Sequence, residues 1–310
     1  MARARVRAYS SSANLGPGFD ILALAHTAFY DEVEVEVEKG VGRVVLEEVS
    51  GPYASQVDTE RNTAVEALRA AIEALKLGVD VRVRLWKGVP VGKGLGSSGA
   101  SAAAAVKALD EALRLGLDPR LLIRFAGMGE AAAAGEPHFD NVAASIVGGF
   151  VALLDLETLS FTSWSPRVLV VIAVPRPGLG KGKTEFMRSV VPREVPLRSV
   201  VRNCARLLRL VIGLERGDVA LAGSGMEDEI VERARAPYVP CYAEARSAAK
   251  SAGALGVALS GAGPSIIALC DSEERAREVA KAFREAYEGC GIELEHLVVA
   301  KPAPGAHRVD

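Results

Sequence analysis

A glycine-rich segment between a predicted strand and a predicted helix has the composition of a polyphosphate-binding loop. Its glycines let the backbone approach an anion closely, so that successive N–H groups can point at it. The alanine-rich stretch that follows has high helix propensity. The first turn of that helix would add free N–H groups and the positive end of the helix dipole. The candidate contacts are Pro90, Val91, Gly92, Lys93, Gly94, Leu95, Gly96, Ser97, Ser98, Gly99 and Ala100.

Residues 94–99 match the pattern G-x-G-x-x-G of dinucleotide-binding folds. Such a fold needs a further strand that ends in an acidic residue about 20 positions later. Here Leu117-Asp118-Pro119 opens another helix instead. A nucleotide-dependent oxidoreductase is therefore disfavoured.

The Walker A pattern fits no better. Residues 88–93 have the wrong spacing, and Gly94 stands where serine or threonine is required. Gly182-Lys183-Thr184 has the right ending, but Pro177 occupies the position of the first glycine. We interpret this second loop as substrate-handling or structural.

The composition is that of an ordinary globular protein, with 310 residues, 49% of them apolar and 25% charged. A net charge of −2 gives no reason to expect nucleic acid or an anionic membrane as a partner. No uncharged apolar run of about 18 residues predicts a membrane span. The cysteines at 204, 241, 270 and 290 form no Cys-x-x-Cys pair, and we expect reduced, mostly buried thiols in a cytoplasmic protein.

The first half alternates strands and helices around the glycine-rich loop. Glutamate and valine alternate strictly from 32 to 38, which predicts a strand with a buried valine face and a solvated glutamate face. Asn62 is predicted to cap a helix that ends near Lys76. We also predict strands at 5–10, 79–86 and 149–156 and helices at 97–115 and 118–134.

The composition shifts between Asp155 and Pro166, which predicts two domains, 1–158 and 159–310. In the second half, the patterns predict strands at 168–174, 256–259, 265–269 and 292–299. They predict helices at 197–215, 218–223, 228–236, 239–252 and 273–287. The second half is therefore expected to be an α+β sandwich with mostly antiparallel strands.

Four segments carry a resemblance to a known family. Residues 90–100 resemble the nucleotide-binding motif of the GHMP kinases, and residues 260–265, with Gly261 and Gly263, resemble the third motif of that family. Residues 11–20 and 136–141 resemble the homoserine kinase branch. The resemblance implies an N-terminal domain like ribosomal protein S5 domain 2 and a ferredoxin-like C-terminal domain. It also implies a homodimer that uses ATP and Mg²⁺ to phosphorylate L-homoserine, a step toward threonine.

The resemblance also assigns residues to ATP and the metal. Lys93, the loop glycines, Ser97 and Ser98 would wrap the triphosphate. Magnesium takes hard oxygen ligands, and the family positions match Ser98 and Glu130. Asn62 matches a position near the base, although its role as a helix cap already explains it.

The amino-acid substrate needs groups for a carboxylate, an ammonium and a hydroxyl. Arg188 and Arg235 match the carboxylate-binding arginines of the family, with Arg233 a rival for the second role. Asp20 would bind the ammonium. The remaining polar groups would be bound by Asn14, His138 and Asn141.

Two questions stay open from the sequence. Asp140 aligns with an aspartate that acts as general base in some GHMP kinases, but the transferring phosphoryl group could take the proton itself. The alternative substrates are those of other small-molecule GHMP kinases, of the mevalonate or shikimate kinase type. A non-catalytic nucleotide-binding module is a further alternative, and it would have no use for Asp20, Arg188 and Arg235 as a convergent set.

Overall fold

The computed structural model describes residues 2–135, 137–176, 180 and 182–310. Its larger sheet has the order β11-β1-β2-β4-β3, and β5 pairs with β2 and β6. The strands are β1 (Ala2–Asn14), β2 (Gly18–Lys39), β3 (Val44–Ser50), β4 (Val79–Lys87), β5 (Phe150–Asp155), β6 (Ser160–Trp164) and β11 (His307–Arg308). Pairing is antiparallel except between β3 and β4.

Strand β2 has the buried valine face that its alternation predicts, but its glutamate face is less solvated than expected, since Glu32 is buried and only Glu38 is exposed. Val33, Val35 and Val37 are buried, because this face of the sheet is covered by helices. The glutamates on the other face pair with arginines of neighbouring strands. Glu34, for example, lies 2.6 Å from Arg3 and 2.8 Å from Arg84.

Four helices pack on the valine face of this sheet within the described chain: α1 (Thr63–Ala74), α2 (Ser97–Leu113), α3 (Pro119–Ala134) and α4 (Phe139–Val147). Helix α2 lies at the centre, and its alanines are almost completely buried. Small side chains let α2 approach both the sheet and its neighbouring helices.

The second sheet is antiparallel and has the order β10-β7-β9-β8. Its strands are β7 (Leu169–Pro175), β8 (Gly256–Leu259), β9 (Ile266–Cys270) and β10 (Leu294–Ala300). The accompanying helices are α5 (Lys183–Ser189), α6 (Leu197–Arg216), α7 (Val219–Ser224), α8 (Val231–Arg235), α9 (Tyr242–Ser251) and α10 (Glu273–Gly289). Short 3₁₀ turns lie at Ala54–Gln56, between β3 and α1, and at Ala236–Tyr238, after α8. The α+β class and the antiparallel second sheet are confirmed.

The two faces of strand β7 belong to two different cores. Ile172 and Val174 pack with Leu210 of α6 and with Leu22 and Phe150 of the larger sheet. Val171 and Ala173 face α9 and α10. The first of these cores joins the two sheets.

The proposed boundary at 158/159 falls in the turn of the β5–β6 hairpin, where both strands belong to the larger sheet. The chain passes to the second sheet only between Trp164 and Leu169. It returns to the first sheet near its end, where His307 and Arg308 pair with β1. We therefore move the proposed boundary to the segment between β6 and β7.

The expectation of reduced thiols is wrong for one pair of cysteines. Cys241 and Cys290 form a disulfide, although 49 positions separate them in the sequence, because α9 packs against α10. Cys204 is an exposed thiol and Cys270 a buried one. No helix in the described part of the chain is both long and apolar enough to cross a membrane.

Candidate active site

The glycine-rich loop lies between β4 and α2, as predicted. Gly96 caps α2 in the left-handed region with φ 63°, and a Cβ there would lie 2.3 Å from Ser11 Oγ. At Gly94, with φ 78°, a Cβ would lie 2.2 Å from the carbonyl oxygen of Ser260. Both positions therefore require glycine, since the Ser11 and Asn141 side chains lie against Gly96 and the backbone of a second segment passes close to Gly94.

A buried polar network that the sequence analysis missed fixes the start of this loop. Lys87 Nζ donates to Asp31 Oδ2 at 2.5 Å, to the Ser97 carbonyl at 2.6 Å and to Ser101 Oγ at 2.7 Å. The other oxygen of Asp31 accepts the N–H groups of Gly88 and Val89. Burial lowers the pKa of Lys87, while Asp31 opposes that change. The network connects β2, β4 and α2, and so holds the loop in one conformation.

Lys93 belongs to the loop expected to wrap the triphosphate, but its side chain is bound elsewhere. Its ammonium donates to the carbonyls of Pro175 and Arg176, both at 2.7 Å, and lies 3.0 Å from Glu295. Lys93 is buried and does not line the larger cavity described below. Its contacts instead attach the loop to the second sheet.

The third motif packs directly against the loop. Ser260 Oγ donates to the Gly94 carbonyl at 2.6 Å and to Ser12 Oγ at 2.7 Å. The N–H of Gly261 donates to the Ala13 carbonyl at 3.1 Å. Gly261 and Gly263 both have positive φ. The three motifs that lie far apart in the sequence therefore meet at one place.

A cavity of about 290 Å³ lies along the loop. One end is formed by residues near α1, including Gln56, Val57, Asp58 and Asn62. Asn62 caps α1 by accepting the N–H groups of Ala64 and Val65, so its structural role is confirmed. The other end is formed by His138, Asn141, Lys183, Thr184, Gly261 and Ala262.

Most of the predicted loop contacts line this cavity: Val91, Gly92, Gly94, Leu95, Gly96, Ser97 and Ser98. Pro90, Lys93, Gly99 and Ala100 do not. Ala100 packs in the apolar core between the sheets.

The two predicted metal ligands are in contact. Ser98 Oγ donates to Glu130 Oε1 at 2.5 Å, and Glu130 Oε2 accepts the His138 N–H at 3.0 Å. Glu130 is buried, and no lysine or arginine of the described residues lies within ion-pair distance of it. A hydroxyl and a buried carboxylate at the wall of a phosphate cavity are the hard oxygen ligands that Mg²⁺ prefers. Glu130 also raises the pKa of His138.

A smaller cavity of about 40 Å³ adjoins the first. His138, Asn141, Thr184, Gly261 and Ala262 line both. Only the smaller cavity is lined by Ala13, Asn14, Phe19, Asp20, Asp140, Arg188 and Arg235. The predicted substrate residues are thus brought together.

Oppositely charged groups meet in this small cavity. Arg188 donates to the two oxygens of Asp20 at 3.0 and 3.3 Å. Arg235 is buried, and its Nε donates to the Met187 carbonyl at 2.9 Å. Both guanidinium carbons lie over the ring of Phe19, at 5.4 and 5.1 Å from its centroid. Burial lowers the pKa of Arg235 to about 10, which Asp20 opposes.

The positions of the two arginines favour Arg235 over Arg233 as the carboxylate-binding residue. Arg233 is exposed and lines a different cavity, between α6 and α9, whereas Arg235 is only 4% exposed and lines the small cavity. Asn14 Nδ2 and Arg235 Nη1 both donate to the carbonyl of Gly261, at 3.1 and 3.4 Å. The third motif thereby connects the two cavities.

Asp140 lies at the base of the small cavity. It is buried, and one of its oxygens accepts the N–H of Asn141 at 2.7 Å. Burial raises its pKa to about 7, and the nearby carboxylate of Asp20 adds to the effect. Of the sequence features discussed above, Glu136 and Pro177 lie outside the described residues.

Comparison with known proteins decides the family. The model for the N-terminal domain of GHMP kinases matches residues 62–149, and that for the GHMP kinase C-terminal domain matches residues 210–289. The chain belongs to the GHMP kinase family. A homoserine kinase from Aeropyrum pernix is 49% identical over 98% of both chains, and one from Pyrobaculum aerophilum is 43% identical over 97% of this chain and 99% of its own.

Solved structures of GHMP kinases have the same fold. A homoserine kinase from Cytophaga hutchinsonii superposes with a TM-score of 0.91 at 30% identity, over 100% of this chain and 98% of its own. The mevalonate kinase of L. major superposes with a TM-score of 0.69 at 19% identity, over 96% of this chain and 95% of its own. At 19% identity, the likeness to mevalonate kinase shows the fold alone. The substrate is therefore argued from the side chains of the small cavity.

Sequence reasoning missed several residues of this GHMP kinase site. Lys87 ends β4 next to the glycine-rich loop, and that position was an available signal. Asp31 lies within β2, directly opposite Lys87 in the sheet. Phe19 and Thr184 line the small cavity and lie in segments 11–20 and 182–184, where the sequence indicated other residues or a structural loop. No local pattern marks them, since only the fold brings them to the cavity.

Proposed function

We infer that this kinase transfers the γ-phosphoryl group of ATP to the side-chain hydroxyl of L-homoserine, which yields O-phospho-L-homoserine in threonine biosynthesis. The observation that carries this inference is the small cavity with Asp20, Arg188 and Arg235, which shares a wall with the nucleotide cavity. A substrate with one carboxylate and one ammonium fits this charge pattern. The two relatives described above, which are homoserine kinases, support the same substrate.

Substrate binding exchanges one ion pair for two. Without substrate, Asp20 and Arg188 neutralise each other. A zwitterion entering between them offers its ammonium to Asp20 and its carboxylate to Arg188. Arg235 provides a second guanidinium for the carboxylate, and arginine suits this role because its planar fork can donate two parallel hydrogen bonds. Asn14, His138 and Asn141 are available to the remaining polar groups.

In this proposal ATP lies with its base near Asn62 and its phosphates along residues 91–98, and the lining of the larger cavity supports this. Ser98 and Glu130 would hold Mg²⁺ beside the phosphates. When bound there, the ion neutralises phosphate charge and orients the triphosphate. The backbone N–H groups at the start of α2 supply further positive potential.

The reaction replaces one P–O bond by another. The bond between the γ-phosphorus and the β,γ-bridging oxygen breaks, and ADP leaves with the electron pair. A bond forms between the phosphorus and the hydroxyl oxygen of homoserine. The hydroxyl proton goes to the Asp140 carboxylate in our proposal, because a carboxyl with a pKa of about 7 is suited to act as base near neutral pH.

The test is an assay of ADP release with L-homoserine, serine, threonine, mevalonate and shikimate as acceptors. We expect the highest kcat/KM with homoserine, since mevalonate and shikimate carry no ammonium for Asp20. Preferential turnover of mevalonate or shikimate would reject this function in favour of another GHMP kinase activity. A protein that binds ATP but phosphorylates none of the five would point to a binding module.

The location of the kinase in the cell and its oligomeric state are two further proposals. We propose that the kinase works in the cytoplasm, where its co-substrate ATP is available. We also propose that it forms a homodimer, as the family resemblance implies. Light scattering coupled to size-exclusion chromatography would measure the mass of the assembly directly.

A further inference from the structure

Lys183 is a buried lysine at the nucleotide cavity for which the reaction described above has no role. It is the first residue of α5 and follows Gly182, in the second loop that the sequence analysis left as substrate-handling or structural. Its side chain is 7% exposed and lines the larger cavity together with Gly94 and Ser98. This lysine therefore lies close to the segments that enclose the triphosphate.

The ammonium of Lys183 has a hydrogen-bond acceptor but no carboxylate partner among the described residues. Its Nζ donates to the Gly263 carbonyl at 2.6 Å, and no carboxylate among the described residues lies within ion-pair distance of it. An ammonium has three donors, and a buried cation without an anion is costly. Lys87 and Lys93 differ in this respect, because each has a carboxylate partner in Asp31 or Glu295.

The electrostatic surroundings agree with this contrast. Burial lowers the pKa of Lys183 to about 7, and the like charges of Arg235 and Lys93 act in the same direction. An incoming anion would supply the missing partner.

Lys183 also lies where the two cavities meet. The next residue, Thr184, lines both of them, as do Gly261 and Ala262 of the third motif. The carbonyl that holds Lys183 belongs to Gly263 of that same motif. A phosphoryl group passing from ATP to an acceptor in the small cavity must cross this border.

We propose that Lys183 is a catalytic residue whose ammonium contacts the phosphoryl group that ATP transfers. The proposal rests on the proposed kinase function. Charge spreads over the peripheral phosphoryl oxygens in the transition state, and a fixed cation in a water-poor cavity stabilises it. The ammonium gives up no proton in this role, and the bonds made and broken are those described above.

Lys183→Met tests the proposal, because methionine keeps much of the length and removes the charge. With homoserine as acceptor, kcat should fall by about 10²-fold or more. The Kd of a non-hydrolysable ATP analogue, measured by calorimetry with Mg²⁺, should rise by about 10-fold or more. The Kd of ADP should stay near its wild-type value, since ADP lacks the contacted group. Lys183→Arg should retain more of the analogue affinity than Lys183→Met.

Lys281→Met is the matched control, because Lys281 is exposed on α10 and lines neither cavity. It should leave all three quantities unchanged. The melting temperature of Lys183→Met should equal or exceed that of the wild type, since a buried cation without a carboxylate partner is removed. If the methionine variant does not fold, Lys183→Gln supports the same comparison.

Equal losses of affinity for the analogue and for ADP, or no loss for either, would overturn the assignment. A clear drop in melting temperature together with equal losses would identify a structural lysine instead. Wild-type protein that releases no ADP with homoserine would reject the proposed function. The comparison of analogue with ADP binding would still decide the role of Lys183 in that case.

Discussion

Arg235 is the clearest candidate for recognition of the substrate carboxylate, since it is buried in the small cavity beside the Asp20–Arg188 pair. We predict that Arg235→Leu raises the KM for homoserine by about 10-fold or more, as expected for loss of hydrogen bonds to a charged group. The KM for ATP should change much less. Steady-state kinetics with each substrate varied in turn measures the difference.

Arg233→Leu is the matched control, because Arg233 is two positions away, exposed, and lines another cavity. It should leave both KM values near those of the wild type. Similar increases in both KM values for Arg235→Leu would argue against a carboxylate role.

Asp140 gives a prediction about stability. Its pKa is about 7 in the folded protein and is ordinarily 3.8. As pH rises from 4 to 7, the unfolded chain loses this proton while the folded protein retains it, so folding becomes less favourable by up to about 4 kcal/mol. Asp140→Asn should therefore raise the melting temperature at pH 8 and have little effect at pH 4. Thermal denaturation at the two pH values checks this.

The same substitution tests the catalytic base. If Asp140 takes the hydroxyl proton, kcat of the wild type should fall as pH decreases below about 7, and Asp140→Asn should lower kcat by about 10²–10⁴-fold. Asparagine can still accept the N–H of Asn141, so the local structure should persist. Retention of kcat in the variant would mean that the phosphoryl group takes the proton itself.

Elements near the site were predicted with uneven success, for physical reasons. The strand, loop and helix around the phosphate site have strong local signals: alternation, glycines and an alanine-rich run. Helices α4 and α5 were not predicted, because they are short and depend on tertiary packing. Strands β3 and β6 were missed for the same reason, since their pairing partners fix them.

Alanine substitutions in the phosphate loop test whether the third motif packs as closely against Gly94 as the structure shows. Gly94→Ala would bring a Cβ to 2.2 Å from the Ser260 carbonyl oxygen, whereas a Cβ at Gly92 would have no atom of the described residues within 4 Å apart from its chain neighbours. Both glycines have positive φ, which costs a non-glycine residue about 1–2 kcal/mol. We predict that Gly94→Ala lowers the melting temperature more and raises the KM for ATP more than Gly92→Ala. Equal effects would mean that backbone conformation alone matters at Gly94.

The whole molecule determines which charged groups are available to a ligand, and the sequence does not show this. Among the described residues, three lysines lie near the phosphate site, and only tertiary contacts distinguish Lys87 and Lys93, which have carboxylate partners, from Lys183. The disulfide between Cys241 and Cys290 likewise depends on how α9 packs against α10. Motif order was readable from the sequence, but the meeting of the motifs between two sheets was not.

The most direct test of zwitterion recognition compares homoserine with two truncated acceptors. One is 4-hydroxybutanoate, which lacks the ammonium, and the other is 3-aminopropan-1-ol, which lacks the carboxylate. We predict that kcat/KM in an ADP-release assay falls by about 10-fold or more for each, because the group opposite the missing charge remains unpaired. Equal kcat/KM for all three acceptors would contradict the assignment of Asp20, Arg188 and Arg235.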